Sequence, residues 1–225
     1  MKPNIIILLC ALFVGSLVNG QNACDSYFPF KKDIQFEITS YNPKGKKESV
    51  ASYKVLNIEN NTATIETQVS DDKGKDLTTS TFQVTCNGNG ISIDFKSLMN
   101  AELMKQYKDV DLEMTGTNLE FPNDLKVGQT LNDANLKMTM DMGGMKMNMT
   151  VDITNRKVNA KESITTPAGT FNCYAISSNS ETKMGLKMMF EIKEWVAEGM
   201  GVIKSETYNK NGKLMGYTEL TSINK

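Results

Sequence analysis

Hydrophobic and polar residues alternate along most of the chain. Ile34, Phe36 and Ile38 alternate with polar neighbours, as do Ala63, Ile65, Thr67 and Val69, then Phe82 and Val84, then Ile91, Ile93 and Phe95. A period of two sends successive side chains to opposite faces of a strand, so each run predicts a strand with one wet face. Between the runs stand NPKGKK at 42–47, DDKGKD at 71–76 and NKNGKL at 209–214, whose residue types favour tight turns. Neighbouring strands are therefore expected to be antiparallel. Further strands are expected at about 150–164, 171–178, 183–195, 201–209 and 213–224. Only SLMNAELMKQYK at 97–108 breaks the pattern: Met99, Leu103 and Tyr107 recur four apart behind a Ser97 cap and predict one short helix. FPNDLKVGQTL at 121–131 reads as a loop.

About ten to twelve antiparallel strands of this length cannot stay flat, because strand twist accumulates across a sheet. The expected fold class is all-β, a large curved antiparallel sheet or half-barrel with one short helix.

The sharpest local pattern is LKMTMDMGGMKMNMTVDI at 136–153. Two alternating runs flank Gly143-Gly144, a pair able to take the positive φ of a two-residue hairpin turn. That turn places Met142 opposite Met145, Met140 opposite Met147, Met138 opposite Met149, Leu136 opposite Val151 and Ala134 opposite Ile153. One face is then apolar and the other carries Lys137, Thr139, Asp141, Lys146, Asn148, Thr150 and Asp152. A later strand adds Met184, Leu186, Met188, Phe190 and Ile192 on one face. Burying a methionine contributes about 1.5–3 kcal/mol, so this face is expected to be covered.

The first twenty residues, MKPNIIILLCALFVGSLVNG, carry one early lysine, an apolar run from Ile5 to Val18 and a small Gly20. They predict a secretory signal peptide at 1–20, cut before Gln21, followed by one antiparallel β domain at 21–225. Leu9 precedes Cys10, and Gln21-Asn22-Ala23 precedes Cys24, neither of which suits lipid attachment. A soluble exported product, periplasmic, extracellular or associated with an outer membrane, is expected. No second apolar run of about 18 residues offers a membrane-spanning helix.

Export also frames the cysteines. Of Cys24, Cys86 and Cys173, two are expected to pair in an oxidising compartment, with Cys24 to Cys86 favoured although spacing alone does not fix connectivity. Cys173 alternates with Phe171 and Ala175 and reads as a small buried hydrophobe. The formal charge of the chain is −1 and Arg156 is its sole arginine, a poor endowment for gripping phosphates, so no nucleic-acid partner is expected.

SYNPKGKKESVASYKV near the start and ETYNKNGKLMGYTEL at the end share a tyrosine, an Asn, a Lys/Gly turn and a second tyrosine. Duplication and convergent turn chemistry both account for the likeness.

ITTPAGTFNCYAI at 164–176, followed by EWVAEGMGVIKSETYNKNGKL at 194–214, resembles the bacterial envelope family known as domain of unknown function 3108, in its TapB-like branch. The likeness extends over most of the chain after residue 20 and includes the N-terminal Cys24-x-x-Tyr27-Phe28-Pro29. It implies an exported protein with a curved antiparallel sheet similar to periplasmic lipoprotein carriers, and it brings no catalytic residue. The motif residues also have structural explanations. Pro167 and Gly169 suit a tight turn, Gly199 and Gly201 suit a bulge or close approach, and the Trp195 indole needs an acceptor.

With no histidine in the chain, the Ser-His-Asp and Cys-His arrangements and the common zinc sites are absent. No nucleophile elbow, phosphate loop or dinucleotide fingerprint is present. Glu191, Glu194 and Glu198 remain as carboxylates, but a charge run on a strand is usually a solvated face. No enzyme activity and no cofactor are expected. Three readings of the methionines stay open. They could line a pliable apolar concavity that carries a lipid, a lipoprotein acyl chain or another amphiphile, with Met138, Met140, Met142, Met145, Met147, Met149, Met184 and Met188 as the ligand-binding set. They could be core, packed on the helix through Met99, Leu103 and Met104. They could bind Cu(I), for which thioethers are soft ligands.

Overall fold

The computed structural model describes residues 27–94, 111–141 and 146–224. Thirteen strands form one antiparallel sheet. In chain order they are β1 (Gln35–Tyr41), β2 (Lys47–Glu59), β3 (Thr62–Asp71), β4 (Asp76–Cys86), β5 (Gly90–Ile93), β6 (Asp111–Gly116) and β7 (Leu119–Pro122), followed by β8 (Ala134–Asp141), β9 (Lys146–Thr166), β10 (Gly169–Met184), β11 (Leu186–Ala197), β12 (Gly201–Asn209) and β13 (Leu214–Asn224). Their spatial order is β6-β8-β9-β10-β11-β12-β13-β1-β2-β3-β4-β5-β7. The architecture is therefore the expected all-β one. No helix occurs among the described residues, and the expected helix at 97–108 lies outside them.

The hairpin register follows the alternation. Met140 pairs with Met147, Met138 with Met149, Leu136 with Val151 and Ala134 with Ile153. On the opposite face the Thr139 hydroxyl donates to Asn148 Oδ1 at 2.9 Å. Strand boundaries depart from expectation at 179–182, which the expected strands at 171–178 and 183–195 leave as a connection. Those residues continue β10, because β9 on one side and β11 on the other complete their backbone hydrogen bonds, and the chain reverses only at Gly185. Asn155, at φ 55°, marks a bulge where β9 changes its pairing with β10.

The three Lys/Gly turns share one design. Asn42, Asp71 and Asn209 each accept two backbone N–H groups on the side-chain Oδ1, while Gly45, Gly74 and Gly212 take φ 78°, 82° and 71°. The same hydrogen bonds recur in a turn outside the N- and C-terminal look-alike segments, which is what convergent turn chemistry produces. Tyr41 and Tyr217, from those two segments, stack across β1 and β13 with ring centroids 4.9 Å apart.

Edge strands β6 and β7 are separated in sequence only by Thr117 and Asn118. One nearly continuous strand thus pairs first with β8 and then with β5. At the switch, Thr117 N donates to Asn135 O and the Asn118 amide donates to Ser92 Oγ. Both ends of the sheet meet at this corner, which curls the sheet upon itself. The concave side holds the core, with Val55, Ala63, Ile65, Val84 and Val158 fully buried. Arg156 adds a second tie from β9. It is 1% exposed, donates from Nη1 to Asn132 O at 2.7 Å and stacks over the Phe121 ring of β7 at 5.0 Å.

The corner needs glycine. A Cβ on Gly90 would lie 2.2 Å from Phe121 O, which is backbone and has no room to move. Gly90→Ala is expected to destabilise by about 2–4 kcal/mol. Gly74→Ala, with φ +82° but open space around it, should cost only about 1–2 kcal/mol. Urea unfolding midpoints compare the two.

Candidate functional site

On the concave face, β1 to β4 build a row of rings. Phe28 meets Phe36 edge-on at 6.3 Å, Phe36 stacks on Tyr53 at 4.8 Å, and Tyr53 meets Phe82 edge-on at 6.3 Å. The register causes the row, since Phe36 pairs with Tyr53, Tyr53 with Thr67, and Ile65 with Phe82. These rings wall a cavity of about 320 Å³. Phe121 and Ile93 close it from the corner, Val196, Met200 and Val202 from the β11–β12 turn, and Tyr27 and Phe28 from the N-terminal segment. Thr67, Thr78 and Ser80 put three hydroxyls on one side of it, and no charged residue lines it. Burial raises the Tyr53 hydroxyl above its ordinary pKa, and raises that of Tyr27 to about 12. Both stay neutral at physiological pH, and the cavity wall carries no ionised group.

The methionines named from the sequence lie elsewhere. Met138 and Met140 of β8 are 3% and 1% exposed, and Met147 and Met149 opposite them are partly buried. Met184 and Met188, at the β10–β11 hairpin, are 46% and 49% exposed. Met142 and Met145 lie outside the described residues. None of the six described methionines lines the aromatic cavity. Phe36 and Phe82 were visible as apolar positions in alternating runs. Their meeting through Tyr53 depends on the pairing of three strands, which local alternation does not specify.

Other singled-out residues take structural places. The Trp195 indole finds its acceptor, donating to Glu162 Oε1 at 2.5 Å, and Lys193 lies over its ring at 4.3 Å. Cys86 is disulfide-bonded, whereas Cys173 is a buried free thiol whose pKa burial pushes up to about 11. Cys24 lies outside the described residues. No group of His, Cys, Asp or Glu that could hold a metal ion occurs among the described residues.

Buried Arg156 and partly buried Glu194 interact electrostatically. Arg156 Nη2 has no protein hydrogen-bond partner. Desolvation draws the guanidinium below its usual pKa, opposed by Glu194, Asp133 and Glu120. Burial raises Glu194 above the ordinary carboxylate range, and Arg156 offsets only part of that. Neither residue lines the cavity.

The fold and site define a class: a curved antiparallel sheet that walls an uncharged aromatic cavity on its concave face. The chain belongs to the DUF3108-like family, whose pattern matches residues 31–220. No curated protein matches it. Two crystal structures share the fold. One is a Bacteroides fragilis protein of YmcC-like fold, named as a candidate exported protein, with TM-score 0.71 and 20% identity over 89% of this chain and 99% of that one. The other is a Parabacteroides distasonis protein named as a candidate lipoprotein, with TM-score 0.72 and 21% identity over 88% of this chain and 99% of that one.

A raised carboxylate pKa means that the folded state holds the proton more tightly than the unfolded state. Its favourable effect is complete below the unfolded pKa of about 4.3 and is lost as pH rises through the folded value. Glu194→Gln should remove that loss. The stability difference between variant and wild type is expected to shift in favour of the variant from pH ~4 to pH ~8, by about 1.4 kcal/mol per unit of pKa elevation. Denaturant titrations at the two pH values measure it.

Proposed function

We propose that this is an exported, non-catalytic envelope protein that binds a hydrophobic or amphiphilic ligand in the aromatic cavity. The observation that carries the reading is a partly open cavity of about 320 Å³ with an aromatic wall, three Ser/Thr hydroxyls and no charged residue. Ligand pockets are mostly apolar with a few placed polar groups. A cavity of about 150 Å³ accepts benzene, so this one has room for roughly a dozen carbon atoms. A lipid or lipoprotein acyl segment fits that size, with its polar end toward Thr67, Thr78 and Ser80. The methionines of β8 then act as packing: at 3% and 1% exposure Met138 and Met140 leave no space for a ligand. Their face is continuous with Ala134, Leu136, Val151 and Ile153, which favours packing over a Cu(I) site.

Residues 1–20 serve as the signal peptide in this reading, and 21–225 form the exported domain. The names of the two structural neighbours, one as an exported protein and one as a lipoprotein, support an envelope location. Cys24 is the proposed disulfide partner of Cys86. A bridge there anchors the chain three residues before Tyr27, which lines the cavity.

Fluorescence titration with N-phenyl-1-naphthylamine tests the binding site. Wild type should bind the dye, Ser80→Phe should weaken binding at least about tenfold by filling the space, and Met140→Leu should leave it unchanged. Circular dichroism confirms that each variant folds. Equal binding by wild type and Ser80→Phe would reject the cavity. Non-reducing peptide mapping should recover a Cys24–Cys86 linked pair, and Cys24→Ser with Cys86→Ser should cost about 2–4 kcal/mol of stability.

A further inference from the structure

The short connections of four successive strand pairs along the sheet, β10–β11, β12–β13, β1–β2 and β3–β4, all fall at the same end, where β8 also ends and β9 begins. The register steps along this rim: Phe190 pairs with Asn209, the last residue of β12, while the β10–β11 turn lies further on at Gly185. The rim therefore runs obliquely to the strands, as tilt in a curved sheet requires. Within two residues of these four connections stand nine exposed lysines and four carboxylates, with Glu181 pairing Lys183 and Lys187, in a chain of formal charge −1. Lys44, Lys46, Lys73, Lys75, Lys210 and Lys213 all come from the three Lys/Gly turns, whose side-chain caps and left-handed glycines hold their tips outward.

The same rim carries the exposed apolar side chains. Among the described residues seven large hydrophobics are exposed, and six of them lie at or beside these turns: Leu77 at 56%, Met184 at 46%, Leu186 at 81%, Met188 and Met189 at 49% each, and Met215 at 46%. The seventh, Val127, is in the loop after β7 at the opposite end. Exposed apolar groups gathered at one place mark an interaction surface. Here they project from hairpin tips and are interleaved with lysines, which suits an occupant that is fluid, apolar and negatively charged at its surface.

We propose that this rim docks on a lipid bilayer bearing anionic head groups. The Met and Leu side chains enter the headgroup and acyl boundary, a depth of about 5–10 Å for interfacial elements, and the lysines meet the lipid phosphates. An acidic protein would use the lysines but would leave Leu186 and its neighbours without a matching pocket. The proposal uses residues outside the aromatic cavity and needs no ligand in it.

Co-sedimentation of the exported protein with vesicles tests this. Phosphatidylcholine vesicles containing phosphatidylglycerol should pellet the protein, with salt sensitivity, whereas phosphatidylcholine alone should pellet little. Lys44→Glu with Lys73→Glu and Lys210→Glu, and separately Leu186→Ser with Met184→Ser, should each weaken binding at least about tenfold. Naphthylamine binding by both variants should match wild type, which separates failure of the rim from failure of the cavity. A polarity-sensitive dye on Leu186→Cys should shift to the blue on anionic vesicles, the buried Cys173 escaping the label. Absence of pelleting, or equal pelleting with both vesicle types by all variants, would overturn the proposal. Binding to poly-glutamate without binding to vesicles would overturn it in favour of an acidic protein partner.

Discussion

The chain from Asp111 to Pro122 exchanges partners at Thr117 and Asn118, and the shape of the molecule depends on that exchange. Its first half completes the β8 side of the sheet and its second half completes the β5 side. Thirteen twisted strands left open would present two long edges, each a template for pairing with another chain. Placing both edges on one short stretch of backbone pins them together. Gly90 and Gly116 permit the close backbone approach, and Arg156 ties β9 to Phe121 from within. The concave face is thereby withdrawn from water, which makes both a core and a cavity possible.

The two ends of the sheet are built differently as a result. At the end holding the β11–β12 turn and the N-terminal segment, Tyr27, Phe28, Phe121 and Val196 converge and bury one another. At the other end the hairpins run past their neighbours, and the lysines and methionines there face solvent. The sole arginine illustrates the division: it is spent on the interior, while every lysine of the turns stays outside. Lysine keeps its ammonium hydrated at the end of a flexible stem, whereas the planar guanidinium can stack on Phe121 and donate to a carbonyl at once.

Much of the fold was legible because its rules are local. Alternation around Gly143-Gly144 specifies the β8–β9 register pair by pair, and the Lys/Gly turns specify three hairpins. The polar residues from Asn179 to Thr182 hide a strand, because polarity resembles a loop when the strands that complete its hydrogen bonds lie in other parts of the sheet. The aromatic row was hidden for a related reason. Phe36, Tyr53 and Phe82 come from three strands, and only the non-local pairing brings their rings together. The six methionines at alternate positions are the conspicuous local pattern, and a periodic apolar face more often serves packing than ligand binding.

The proposed function requires a ligand in the aromatic cavity. Native mass spectrometry of the protein taken from its own envelope without delipidation tests that most directly. An adduct of lipid-like mass that disappears on unfolding, and is absent from Ser80→Phe, is the expected result. A bare polypeptide mass for the wild type, or an adduct of copper mass, would contradict it.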